Sequence, residues 1–287
     1  MTKVTQPEAA PRGEKLLDAT GSLGVPVVPE LHGKYLSPSQ VIELGALLKT
    51  FFTLPYSTDL DGKDAETLLR IIKKAEGPRS KRKELFDIID GSVGYSVKTL
   101  KKSSTAVRVD LQEQRFCDVD EVRRMRAEGG ENAAKQGAIL LEYMLTRIRE
   151  QMTARGISQA KSLILLKNWD AARKRFSFVY WEEDFLGYVQ DLVDRNRNSE
   201  IEWIVQDAGL HARDKLRQVQ RGDGSSENIR LLRMHYKHNQ IFTDHDIPKD
   251  ADKMSFTTNP MTWEELGKIL DTQDLNRDEK EGGVDGA

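Results

Sequence analysis

Cysteine is almost absent: Cys117 is the one cysteine in 287 residues. An internal disulfide and a cysteine-built zinc site are thereby excluded, and a reducing, cytoplasmic compartment is expected. Long apolar runs are missing too. No stretch of about eighteen apolar residues occurs, and the opening MTKVTQPEAAPRGEK lacks the apolar centre of a signal peptide, so no membrane association is expected. An excess of one charge is also lacking: 44 Lys and Arg against 46 Asp and Glu leave −2. That argues against coating nucleic acid by bulk charge, but a local basic surface is still allowed. There is no GxxxxGK[ST] phosphate loop, internal repeat or coiled-coil heptad pattern.

What is present is a highly charged globular composition, 31% charged and 38% apolar, in a chain long enough for a substantial core. Residues 1–30 read as a loose arm, although Val25 to Leu31 has the character to dock. The tail 274–287 is polar and Gly-rich and reads as disordered. Residues 31–273 are expected to form a single domain.

Ser37-Pro38-Ser39-Gln40 supplies a capping Ser, Pro at the first helical position and Gln at the third, so a helix starts there. A second helix is expected over 64–75, ended by the basic turn GPRSKRK at 77–83. The period then changes to two. Leu85–Ile89 and Gly94–Leu100 read as a hairpin, with a third strand of the meander at 106–111. A polar stretch with Arg123, Arg124 and Arg126 leads to a long helix over 131–155, its stripe running Ala134, Ala138, Leu141, Leu145, Ile148, Met152. Strands are expected at 163–166, 175–181, 201–205, 229–236 and 240–247, with helices at 185–193 and, behind the capping box Thr262–Glu265, at 263–271. The order predicts an α+β (or α/β) domain around a mixed sheet flanked by helices.

The hairpin carries the chemistry. A four-residue loop, Asp90 to Val93, sets Ile89 opposite Gly94, Asp87 opposite Ser96 and Leu85 opposite Lys98. Asp87 and Lys98 are then diagonal neighbours on one face; a two-residue Asp90-Gly91 turn keeps the same facial grouping. A carboxylate and a lysine on rigid neighbouring strands suit phosphoryl chemistry. The carboxylate holds Mg²⁺, and the lysine orients water and stabilises developing charge. From Lys73 to Arg108 there are ten Lys or Arg against four Asp or Glu, a local basic excess suited to phosphate contact. The plainer alternative is an ordinary cross-strand ion pair on an edge strand.

The segment Asp87-Ile-Ile-Asp-Gly-Ser-Val-Gly-Tyr-Ser96-Val-Lys98 resembles the active-site hairpin of the PD-(D/E)xK nuclease superfamily, particularly type II restriction endonucleases. The resemblance covers roughly residues 64–113. It implies a restriction-endonuclease-like mixed β-sheet, Asp87 as metal-binding acid, the Val97 carbonyl as a further ligand and Lys98 as catalytic lysine. Ser96 departs from the pattern where an acid is expected. Some restriction enzymes have Ser there and bring a Glu from a later segment. Glu113 is at a suitable separation, with Glu84 and Glu66 behind it. The resemblance further implies Mg²⁺ as cofactor, double-stranded DNA as substrate, a homodimer and a companion DNA methyltransferase. The alternative is a non-catalytic DNA-binding or interaction protein with a structural Asp87/Lys98 hairpin.

His235, His238 and His245 cluster in sequence near Asp244 and Asp246, but their spacing fits no HNH pattern. They are expected to be surface or groove-lining residues. His235-Tyr-Lys-His-Asn-Gln240 is a candidate base-reading segment. The segments starting at His211 and Arg173 are candidate backbone clamps.

Overall fold

The computed structural model describes residues 28–30, 34–57, 59–75, 84–102, 106–113, 116, 119–170, 174–220 and 224–270. The expectations for residues 1–27, the turn at 77–83, Cys117, Arg173 and the tail 274–287 lie outside them.

In chain order the elements are β1 (Val28–Glu30), α1 (Pro38–Thr53), α2 (Gly62–Lys73), β2 (Ile88–Asp90), β3 (Val93–Lys101), β4 (Arg108–Gln112), α3 (Val119–Gly129) and α4 (Ala133–Arg155). There follow β5 (Gln159–Asp170), β6 (Arg175–Asp184), α5 (Phe185–Arg197), β7 (Ile201–Gln206), β8 (Gly209–Gln220), β9 (Ser226–His235), β10 (Gln240–Asp246) and β11 (Asp252–Thr257). A last helix, α6, covers 263–270.

Helices and strands mix as α+β, but the strands form two sheets. A six-stranded sheet runs β1-β11-β6-β5-β3-β2 and a five-stranded sheet runs β4-β10-β9-β8-β7. The third strand of the expected meander is therefore misplaced. β4 leaves its neighbour β3 and pairs with β10, Leu111 opposite Thr243. β3 instead pairs in parallel with β5, Lys98 opposite Ile164. Parallel neighbours need a long crossover, and the chain from β4 through α4 provides it. Part of the expected arm is also structured, because Val28–Glu30 pairs with β11.

Both capping boxes form. The Ser37 N–H donates to Gln40 Oε1 at 3.0 Å while Gln40 N–H donates to Ser37 Oγ at 3.3 Å. The Thr262 and Glu265 pair does the same at 2.7 and 3.2 Å. The cap fixes where α1 starts. Val41, Leu44, Leu48 and Phe52 of α1, with Leu69 and Ile72 of α2, then bury against Tyr95, Leu163, Leu165, Phe178 and Tyr180 on one face of the six-stranded sheet. The opposite face meets α4, α5 and the inner face of the five-stranded sheet through Phe86, Ala160, Leu141, Val189, Leu232 and Ile241. A smaller apolar group farther along joins the two sheets directly: Ile164, Leu166 and Trp181 against Val109 and Leu111.

The stripe of α4 starts differently from the expectation. Ala134 is exposed, and Gln136 and Gly137 turn inward. The reason is Trp203. A Cβ on Gly137 would lie 2.2 Å from the Trp203 ring, and that ring is fixed by its Nε1–H donating to Asn196 Oδ1 at 2.7 Å. Gly137→Ala is therefore expected to destabilise by about 1–3 kcal/mol from overpacking, despite a helix-propensity gain of about 1 kcal/mol. Urea unfolding followed by tryptophan fluorescence checks this.

Candidate functional site

The hairpin turn is tighter than expected. Asp90 pairs with Val93 and only Gly91-Ser92 link the strands, while Ile89 stands opposite Gly94 as the longer loop would place it. Gly91 has φ +55°, the positive value that a type II′ turn needs at its first central position. β2 is short, and Leu85 to Asp87 lie before it.

Asp87 nonetheless stays bonded to β3 at both ends. Its N–H donates to the Tyr95 carbonyl at 2.7 Å, and its carboxylate Oδ2 accepts the Val97 N–H at 2.8 Å. It is 8% exposed. Gly94, Ser96, Lys98 and Leu100 alternate onto the face that looks toward the second sheet. Phe86 and Ile157 cover Gly94 so closely that a Cβ there would come within 2.7–2.9 Å of them. A glycine is thus required immediately before the polar floor begins at buried Ser96, opposite buried Ser162 of β5.

Lys98 reaches across to the other sheet. Its Nζ donates to Glu113 Oε2 at 2.8 Å and to the Gln112 carbonyl at 3.1 Å. The second sheet holds Glu113 in place: its N–H donates to the Ile241 carbonyl at 2.8 Å, just past the end of β4. The pair is secluded, with Lys98 10% and Glu113 2% exposed at the side chain. Removing one member of such a buried pair typically costs about 3–5 kcal/mol.

The structure thus brings Lys98 and Glu113 together and fixes Asp87 to the amide next to Lys98. The other acids considered lie elsewhere. Glu84 pairs with Arg155 at the end of α4, and Glu66 belongs to α2, which packs on the opposite sheet face. Val97 faces the helices α1 and α2 with its side chain; it touches the site through its backbone.

Further polar groups line the same inter-sheet layer. Thr243 Oγ1 donates to Glu113 Oε1 at 3.1 Å and is 2.8 Å from His245 Nε2. His245 Nδ1 contacts Glu183 Oε2, and Trp181 Nε1–H donates to Glu183 Oε1 at 2.8 Å. The His245 ring lies 4.3 Å from that of Tyr188. Burial pushes the Tyr188 hydroxyl well above its usual range, with Asp244, Glu183 and Glu113 adding to the effect; it stays protonated and donates to the Leu231 carbonyl at 3.1 Å.

Sequence reasoning missed Thr243 and Glu183 and read His245 as a surface or groove residue. The period of β10, with Ile241, Thr243 and His245 buried, was the available signal. The three histidines do not converge. His235 sets its ring edge-on to Phe242, 5.7 Å away, and His238 is exposed in the turn. Of the proposed base-reading segment, Tyr236 is occupied in packing: its hydroxyl bonds Gln136 at 2.6 Å and Arg126 lies over its ring. His211 and the basic residues after it belong to strand β8.

Beyond Leu100 and Leu166 the sheets separate into a cleft of about 750 Å³. Its floor includes Val107, Val179 and Ile247, and its walls carry Lys102, Arg108, Arg175, Lys249 and Lys253. One acid, Asp246, lines it and is held by Arg108 at 2.8 Å and Arg217 at 2.6 Å. Arg175 donates to Ser255 Oγ, while Lys249 and Lys253 are exposed and carry no ion pair among the described residues.

No family model, curated protein or solved structure matches this chain. Among the described residues no group of three or more His, Cys, Asp and Glu could hold a metal ion. Asp87, bonded to the Val97 amide, and Glu113, bonded to Lys98, nonetheless offer hard carboxylate oxygens next to β3. That chemistry fits Mg²⁺, which takes one or two carboxylates and fills its shell with water and substrate phosphate. No helix among the described residues is long and apolar enough to cross a membrane.

Proposed function

We propose that the chain is a Mg²⁺-dependent endonuclease of the type II restriction class, hydrolysing phosphodiester bonds in double-stranded DNA. The observation that carries this reading is the Lys98–Glu113 contact of 2.8 Å beside an Asp87 bonded to the Val97 amide. It would supply the acid that Ser96 does not, from a later segment, as in those restriction enzymes that have Ser at this position. The antiparallel β2–β3 hairpin and the parallel β3–β5 pair with helices on the flank also agree with the mixed sheet that the resemblance implies.

Asp87, Glu113 and the Val97 carbonyl would hold the metal. Mg²⁺, when bound, polarises a phosphoryl oxygen and lowers the pKa of a bound water. Lys98 has three N–H groups, two of them directed at Gln112 and Glu113; the third would bond a water or a phosphate oxygen and stabilise negative charge as the phosphorus is attacked. The cationic cleft walls lie along the same inter-sheet face and would follow the phosphate backbone. A homodimer would match the two-fold symmetry of a palindromic site, and a companion methyltransferase would protect host DNA.

The low exposure of the Lys98–Glu113 pair favours one competing reading, a structural ion pair in a non-catalytic DNA-binding or interaction protein. Incubation of plasmid or phage DNA with the protein separates the two: discrete fragments with Mg²⁺ and none with EDTA support the nuclease, and intact DNA in both overturns it. For the cleft, Lys249→Ala and Lys253→Ala are each expected to weaken duplex binding uniformly across sequences. Each is expected to lower the slope of log affinity against log salt by about 1, measured by fluorescence anisotropy.

A further inference from the structure

The buried chain from Glu183 to Lys98 has a proton count that fixes the direction of its hydrogen bonds. Thr243 has one hydroxyl proton, and it is directed at Glu113 Oε1. The same hydroxyl oxygen must then accept from His245 Nε2, 2.8 Å away. His245 Nδ1 faces a carboxylate oxygen of Glu183, which accepts when ionised.

Each link is also held from outside. Trp181 Nε1–H fixes the second Glu183 oxygen. Tyr188 lies against the imidazole ring, and its own hydroxyl is tied to the Leu231 backbone. Thr243 and His245 sit two apart on β10, so a single strand presents both inward. Of these groups, Thr243 is the one bonded directly to Glu113.

We propose that Thr243 and His245, anchored by Glu183, are positioning residues for Glu113: the chain commits Oε1 to Thr243 and holds Oε2 toward Lys98 and the metal position. This rests on the nuclease reading of the Asp87–Lys98–Glu113 site. A carboxylate free to rotate would pair with Lys98 through either oxygen and present the metal with a variable geometry. Such outer hydrogen bonds to metal ligands are typically worth 10–100-fold in affinity or activity.

The test uses the full chain and three measurements. Cleavage kinetics and Mg²⁺ titration calorimetry compare wild type with Thr243→Val, Thr243→Ser, Asp87→Asn and Glu113→Gln, and ¹⁵N-histidine NMR reads the His245 ring in wild type and Glu183→Gln. The expected result is a kcat lower by about 10–100-fold in Thr243→Val with weaker Mg²⁺ binding, KM for DNA unchanged, and recovery in Thr243→Ser. The His245 ring ¹⁵N signals are expected to differ between wild type and Glu183→Gln; identical signals overturn the anchoring by Glu183. Wild-type kcat and Mg²⁺ affinity in Thr243→Val, with Asp87→Asn and Glu113→Gln inactive, overturn the positioning role and leave the nuclease reading intact. Failure of the wild type both to bind Mg²⁺ and to cut DNA overturns the two together. Loss of folding in Thr243→Val, with Thr243→Ser folded but no more active than the valine protein, also overturns it.

Discussion

On the nuclease reading, Asp87→Asn is expected to abolish the discrete DNA fragments expected of the wild type with Mg²⁺, and to do so without unfolding the protein. An asparagine keeps the shape of the side chain and the oxygen that accepts the Val97 N–H, so the hairpin loses little. It removes the negative charge that a cation requires. Lys98→Ala is expected to abolish cleavage too, by about 10²–10³-fold at least, the usual cost of removing one group that stabilises developing charge. It has a second effect. Glu113 would lose its lysine at 2% exposure, at about 3–5 kcal/mol of stability. The double variant Lys98→Ala with Glu113→Gln is therefore the proper control, because it removes both charges and returns most of that loss. Unchanged cutting by Asp87→Asn and by Lys98→Ala would remove the site from consideration.

The second large effect lies on the other face of the same sheet. Glu182 of β6 receives Lys73 of α2 at 2.5 Å, Lys161 of β5 at 3.0 Å and the Tyr180 hydroxyl at 2.9 Å. Its side chain is 7% exposed. Burial by itself would raise its pKa, but the hydrogen bonds and charges of Lys73 and Lys161 outweigh it and hold the carboxyl below the usual range. A depressed acid binds its proton less readily folded than unfolded. Its contribution is thus complete above the unfolded value, about 4.3 for a glutamate, and is lost as pH falls through the folded value. Glu182→Gln is expected to cost about 3 kcal/mol at neutral pH by leaving Lys73 and Lys161 without their partner. It should also flatten the loss of stability seen on acidification from about pH 5. Urea midpoints across that range test both statements. Equal acid slopes for the two proteins would mean that this cluster contributes nothing to acid unfolding.

Local signals were legible where a few neighbouring residues decide the outcome. Ser37-Pro38 with Gln40, and Thr262 with Glu265, are self-contained caps, and the chain reads there as it folds. The β2–β3 hairpin was legible because its register depends on a turn and a short alternation. What escaped depends on distant partners. β4 has a strand's alternation, yet nothing within it says that its neighbour is β10 rather than β3. The exposed half of β8, Lys215 to Gln220, puts its two apolar residues, Leu216 and Val219, on opposite faces and so shows no period of two. α3 buries two apolar side chains, Val122 and Met125, among the described residues, too thin a stripe to register against its arginines. The site divides in the same way: Glu113 was reachable by its separation from Lys98, whereas Thr243, inward by the period of β10, and Glu183 find their partners only once two sheets are laid together.

The pairing of β4 with β10 also bears on when the chain becomes active. Lys98 and Asp87 emerge early in synthesis, but Glu113 is held by a ladder and a hydroxyl separated from it by 130 positions. Such distant contacts form late, since the intervening chain must be closed before they are rewarded. A nascent polypeptide, or one broken before β10, would contain the lysine and first acid without the frame that orders the second. On the nuclease reading proposed above, such a chain would acquire its ordered second acid only once β10 has been made.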